Sequence, residues 1–256
     1  MTTSNLQTWN ELLEWLNMAK WQIVNQDKAR FAFRGQSDHG WRLETSLGRL
    51  FGKEATAVKI NEWRTRELKM YRLFRERLLQ TYPGMYDEWP APDIVSLMQH
   101  YGAPTRFIDF SYSPRVAAWF ALKNAKGACA IWVVDRMFLD NRRIDKGLPE
   151  YCGPTHHQSY QVFQKDDEGK HKEVASILDT RRNERLAAQN GCFLVPGAIS
   201  ARVNEDLIAE KIILSESVVW EALRRLPEIC SEASLFPNLT VIANDAANFA
   251  LSGSDH

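Results

Sequence analysis

The chain has no charge of one sign to spare: 32 Lys and Arg stand against 32 Asp and Glu in 256 residues. That balance argues against nucleic-acid binding through a diffuse basic surface and leaves only a local patch open. Cysteine is scarce, at positions 129, 152, 192 and 230, with no CxxC pair. Neither a zinc ribbon nor a disulfide framework is expected, and a reducing cytoplasm fits best. No apolar run is long enough to cross a bilayer, and Met1-Thr2-Thr3-Ser4-Asn5 lacks the basic and apolar regions of a secretion signal. A cytoplasmic location with no membrane partner is therefore expected. His156, His157 and His171 come without HExxH or paired carboxylates, so they read as solvent-facing and no metal is predicted. Internal repeats and low-complexity tracts are missing too.

What is present is a core. With 45% hydrophobic and 25% charged residues, the chain can bury a large interior, and its nine Trp and twelve Phe fall mostly beside Leu, Ile and Val. They read as core rather than as a stacking platform for bases. The expected organisation is an N-terminal helical segment over 1–28, a main domain over 29–245 and a tail over 246–256.

Apolar spacing places the elements. Thr8 caps a first helix running to Ala19. Residues 30–34 alternate as a strand that Gly35 ends, with Phe31 and Phe33 opposite Ala32 and Arg34. A long helix lies between Glu54 and Tyr82. Asp93 caps another that stops before Pro104. Phe107-Ile108-Asp109-Phe110 is a short strand, and Ser113-Pro114 opens the next helix. Residues 128–134 form a continuous apolar strand of the kind buried on both faces. Residues 140–172 show no period and read as a surface excursion and lid. Gln189-Asn190-Gly191 is a turn before a strand over 192–195, and a strand over 211–214 precedes a helix over 215–226. Short strands and helices in mixed order indicate an α+β fold.

Asp109 sits among residues expected to be buried, so its carboxylate needs a partner. Arg34 is one candidate, and Arg106, three residues away, is another across the turn. His100 serves either as a general base or as a donor tying that turn together. From Lys59 to Leu78 the long helix carries seven Lys or Arg against Glu62, Glu67 and Glu76. This is either a solvated face or a patch for a phosphate backbone.

Phe33-Arg34-Gly35, the Trp41-to-Leu47 stretch, Gln99-His100-Tyr101-Gly102-Ala103-Pro104-Thr105-Arg106 with its continuation to Ala121, the Arg185-to-Phe193 block and Ser234-to-Leu239 together resemble the FRG domain family. The resemblance covers nearly all of the chain past residue 25. A second similarity is to ADP-ribosyltransferases of the arginine-serine-glutamate type. Phe33-Arg34-Gly35 is similar to their aromatic-Arg-Gly strand, and Asp109 to Ala121 to their Ser-Thr-Ser strand and following helix. There Ser111 stands at the last serine and Asp109 replaces the first. Gln189, ahead of Gly191, is the nearest counterpart of the catalytic glutamate.

This second resemblance implies a split mixed sheet flanked by helices and NAD as substrate. It further implies a bacterial toxin or antiphage effector acting on an unidentified macromolecule. Arg34, Gly35, Gln36, Thr105, Arg106 and Ser111 would bind the substrate, and Asp109, Gln189 and His100 would be catalytic. The chemistry is coherent, because a guanidinium holds a diphosphate bidentately and a carboxylate stabilises the charge that builds on the ribose. Gln189 lacks that charge, so Asp109 or Glu184 would have to supply it. The alternative is a non-catalytic module that binds a nucleotide, or a nucleic acid through residues 59–78.

Overall fold

A computed structural model describes residues 1–21, 29–51, 57–146, 174–179, 184–197, 199 and 203–236. The three histidines at 156, 157 and 171, most of the 140–172 excursion and the 246–256 tail lie outside these residues.

Seven strands form one mixed sheet in the order β1-β7-β4-β2-β3-β6-β5. They are β1 (Thr2–Leu6), β2 (Phe31–Gln36), β3 (Ile108–Ser111), β4 (Cys129–Asp135), β5 (Ala175–Leu178), β6 (Gly191–Pro196) and β7 (Glu210–Leu214). β1 and β7 are parallel and every other pair is antiparallel. The helices are α1 (Trp9–Leu16), α2 (Ser46–Phe51), α3 (Ala57–Thr81), α4 (Ala91–His100), α5 (Pro114–Leu122), α6 (Arg136–Asp145), α7 (Glu184–Ala188), α8 (Glu216–Arg225) and α9 (Glu232–Leu235). Fold class is thus mixed α+β, a sheet flanked by helices.

β4 shows why its sequence is a continuous apolar run. Cys129, Ile131 and Val133 pack with α1, α5 and α8 residues such as Leu12, Ala118 and Val218, whereas Trp132 and Val134 join Ala32, Phe110, Leu139 and Leu194 on the opposite face. Both faces are covered, so the strand has no reason to alternate. Six tryptophans, at 9, 15, 21, 63, 119 and 132, are buried, while Trp41 and Trp220 are exposed.

Several boundaries differ from the sequence reading, each for a local reason. The first helix starts at Thr8 as expected, through a reciprocal capping box with Glu11, but ends at Leu16. Ahead of it, Thr2–Leu6 is an edge strand whose polar, largely exposed residues carry no strand signal. The residues up to 21 therefore contribute a strand to the sheet and Trp9, Leu12, Trp15, Leu16 and Trp21 to the main core. Gly35 does not end β2, which runs on to Gln36 beside β4. Asp93 lies inside the first turn of α4, whose N-cap is Pro90. A helix also spans Arg136–Asp145 and so enters the stretch from 140 onward where no period was visible, because Asp135 closes β4 and caps it, accepting from the N–H groups of Met137 and Phe138.

The feature that positions the site is a divergence in the middle of the sheet. β2 pairs with β4 along six residues but with β3 only at Phe33 and Ser111. β3 instead follows β6 from Ile108 to Ser111. Beyond the Phe33–Ser111 pair the sheet opens into two halves.

Candidate functional site

A cavity of about 960 Å³ occupies the opening. Arg34, Gly35 and Gln36 of β2 line one side and Asp109, Phe110 and Ser111 of β3 the other. Gln99 and His100 from the end of α4, Val116, Ala117 and Phe120 of α5, and Gln189 also line it. Seven of the nine residues picked out in the sequence converge here: Arg34, Gly35, Gln36, His100, Asp109, Ser111 and Gln189. Thr105 and Arg106 do not line it.

Arg34 crosses the gap. Its Nη1 donates to the backbone carbonyl of Asp109 at 2.7 Å and lies 4.0 Å from the Asp109 carboxylate. Where β2 and β3 part, the guanidinium replaces the main-chain donor that a continuous ladder would provide. Its Nε is enclosed and makes no hydrogen bond. Burial pushes the Arg34 pKa below its ordinary value, the nearby Asp109 charge draws it up, and Arg49 across the cavity lowers it again. Two guanidinium groups facing one cavity favour an anion between them.

Asp109 is not buried as its sequence neighbours suggested. Its side chain is 67% exposed, because it points into the cavity while Ile108 and Phe110 enter the core. Gln99 Nε2 donates to Asp109 Oδ1 at 2.7 Å. The expected Arg106–Asp109 pair does not form. Arg106 is turned inward and grips Glu67 of α3 through two nitrogens, Nε at 2.8 Å, with both side chains nearly inaccessible. Its role is to bind α3 to the sheet.

Gln36, Ser111, Gln189 and Thr105 are each partly committed. Gln36 Oε1 accepts from the Trp132 indole at 2.6 Å and its amide nitrogen reaches the Arg42 carbonyl, so it anchors the segment after β2. Ser111 donates to the Gln189 carbonyl at 2.7 Å and accepts from Ser113 N–H. With its proton spent, Ser111 meets a ligand only as an acceptor. Gln189 Nε2 donates to the Leu235 carbonyl at 3.1 Å, leaving Oε1 as a neutral acceptor. Thr105 acts through Gln99, to which its hydroxyl donates.

Gly35 is explained by packing. A Cβ there would lie 1.9 Å from the Ala117 carbonyl oxygen and 2.5 Å from Ala121 N, both backbone atoms of α5. Only glycine lets that helix lie so close to β2.

The sequence reading did not assign Trp41, Arg42, Glu44 and Arg49 to the site, yet all line the cavity. Trp41, Arg42 and Glu44 belong to the segment between β2 and α2, where spacing gives no sign of which side chains turn inward, and Arg49 belongs to the short α2 itself. Arg34, Arg42 and Arg49 with His100 oppose two carboxylates, Glu44 and Asp109. Among the described residues no cluster of His, Cys, Asp and Glu suited to a metal ion occurs, and no helix is long and apolar enough to cross a membrane.

These features define a mixed α+β protein with a polar cleft opened by a diverging sheet. Residues 29–128 match the FRG domain family, a stretch that holds Phe33-Arg34-Gly35 and the whole block from Gln99 to Ala121. Gln189 and the later blocks lie beyond the matched residues. No curated protein and no solved structure matches the chain.

Proposed function

We propose that the cleft binds NAD and that the chain is an ADP-ribosyltransferase-like, NAD-consuming enzyme. The observation that carries this reading is the convergence of Arg34, Asp109, Ser111 and Gln189, from three separate stretches of sequence, on one cavity. Its volume falls at the upper end of the range of about 300–1,000 Å³ usual for small-molecule sites, which suits a dinucleotide. Arg34 and Arg49 hold the diphosphate. Ser111 accepts a hydrogen bond from a ribose hydroxyl, and Gln189 Oε1 offers a second acceptor. As the C1′–N bond breaks, its electron pair leaves with neutral nicotinamide and positive charge grows on the ribose. Asp109 stabilises that charge, in the role Gln189 cannot fill. An acceptor nucleophile, or water where no other acceptor is present, then bonds to C1′ and its proton passes to solvent.

Purified protein incubated with NAD, and with labelled NAD in a cell lysate, tests this directly. Nicotinamide release by the wild type, at least about 100-fold lower in Asp109→Asn, is the expected result. No release and no label transfer, with wild type indistinguishable from Arg34→Ala, overturns it.

One observation favours the alternative of nucleic-acid binding. Glu67 is drawn inside by Arg106, so of the acidic residues of this helix between 59 and 78 Glu62 and Glu76 remain on the surface beside its seven Lys and Arg. On this reading binding of a DNA or RNA oligonucleotide weakens with salt and with Arg72→Glu and Arg75→Glu. Binding that ignores both removes it.

A further inference from the structure

We infer that Gln99 is the positioning residue for the Asp109 carboxylate, and that the Thr105 hydroxyl selects which end of the Gln99 amide faces it. The inference rests on the NAD reading only for the role that reading gives Asp109.

Every donor and acceptor along the line is determined. Thr105 Oγ1 accepts from Phe107 N–H at 3.1 Å and donates its single proton to Gln99 Oε1. With Oε1 identified as the acceptor, the amide nitrogen must turn the other way, and there it donates to Asp109 Oδ1 at 2.7 Å. An amide suits this place because it offers an acceptor to the hydroxyl and a donor to the carboxylate. Glutamate at 99 would set two negative charges against each other, and an apolar residue would leave the buried Thr105 hydroxyl unmatched and the Asp109 carboxylate held by solvent alone on that side.

Each end of the line is fixed. Thr105 is buried, its N–H donates to Ser46 Oγ at 2.9 Å, and its carbonyl accepts from Ser46 Oγ and Leu47 N–H, both at 3.0 Å. Gln99 lies in the last turn of α4, which ends in a Schellman motif. Ala103 N–H bonds to the Met98 carbonyl and Gly102 N–H to that of Gln99, with Gly102 at φ +88. That left-handed residue turns the chain back so that Thr105 meets the side chain six residues earlier. Asp109 is held from its far side by Arg34. The Gln-His-Tyr-Gly-Ala-Pro-Thr run is therefore a device for aiming one carboxylate, in which the glutamine and threonine carry the hydrogen bonds and the glycine supplies the turn.

The experiment has two arms on the full chain. In the first, ¹⁵N-labelled glutamine side chains are followed by NMR, with Gln99→Met identifying the Gln99 signal. Exchange of its Nε2 protons with solvent is expected to quicken at least about tenfold in Thr105→Val and to return to the wild-type rate in Thr105→Ser. Should Thr105→Val not fold, Asp109→Ala is expected to give the same acceleration. In the second, Gln99→Met lowers kcat for nicotinamide release from NAD by about 10- to 100-fold with KM nearly unchanged, and Thr105→Ser keeps the wild-type kcat. Exchange that is unaltered in Thr105→Val or Asp109→Ala overturns the inference whatever NAD does. Absence of nicotinamide release from the wild type, with the exchange pattern as expected, overturns the enzyme reading and leaves the positioning role of Gln99 standing.

Discussion

Arg34 Nη1 and the main-chain oxygen of Asp109, 2.7 Å apart, form the bridge across the two halves of the sheet. The sequence left open for Arg34 a structural role, neutralising Asp109 or capping a carbonyl, and contact with a phosphate, and the geometry accommodates both. One nitrogen secures the backbone of β3, and the group still faces the cavity. Replacing Arg34 by Ala is expected to cost about 1–3 kcal/mol of stability through the unmatched carbonyl, read by urea denaturation. Arg34→Lys is expected to recover part of that stability but not NAD affinity, because an ammonium cannot imitate the planar fork. Calorimetric titration with NAD separates the two effects.

Gly35→Ala sets a methyl group against backbone that cannot rotate away. A loss of about 3 kcal/mol or more is expected, the upper end of the cost of overpacking. A midpoint within experimental error of the wild type would show that α5 shifts freely, and would sink this account of the glycine.

The Arg106–Glu67 pair is sealed from solvent. Either single substitution, Arg106→Met or Glu67→Leu, removes one member of this buried ion pair and is expected to cost about 3–5 kcal/mol. The double variant is expected to recover most of that loss, which a double-mutant cycle measures. Additive losses would mean that the two side chains act independently.

Burial pushes the Cys129 thiol up to about 12 from an ordinary 9.0. As pH rises past that ordinary value the unfolded chain gives up this proton while the folded chain keeps it. Stability is therefore intact below pH 9 and falls above it, by about 1.4 kcal/mol per pH unit for this group, until the folded thiol also ionises. Cys129→Ala is expected to flatten the alkaline limb of a plot of unfolding free energy against pH, and an unchanged limb would refute the assignment.

Most of the fold was legible wherever burial imposes a pattern. The double-faced run of β4 and the Ser113-Pro114 start of α5 follow from residue type alone, and the structure adds the cap in which Ser113 Oγ accepts from Val116 N–H. β1 was not legible, since an exposed edge strand has no apolar period to betray it. In the site, Arg34 and Asp109 were singled out because charge beside apolar runs is conspicuous. Arg106 looked the same, but a charged residue in such a context is equally suited to the core, and only the position of Glu67, 39 residues earlier, decides between them. Gln99 drew no attention as a functional group because an amide at a helix end is unremarkable until its two partners are known.

The parallel pairing of Thr2–Leu6 with Glu210–Leu214 also constrains how the molecule is made. The β3-β6-β5 half draws on residues 108–196 and can assemble while later residues are still being synthesised, whereas the outermost ribbon must wait for a segment some two hundred positions downstream. Until then β4 has an unprotected border, and the nascent chain is most open to mispairing there.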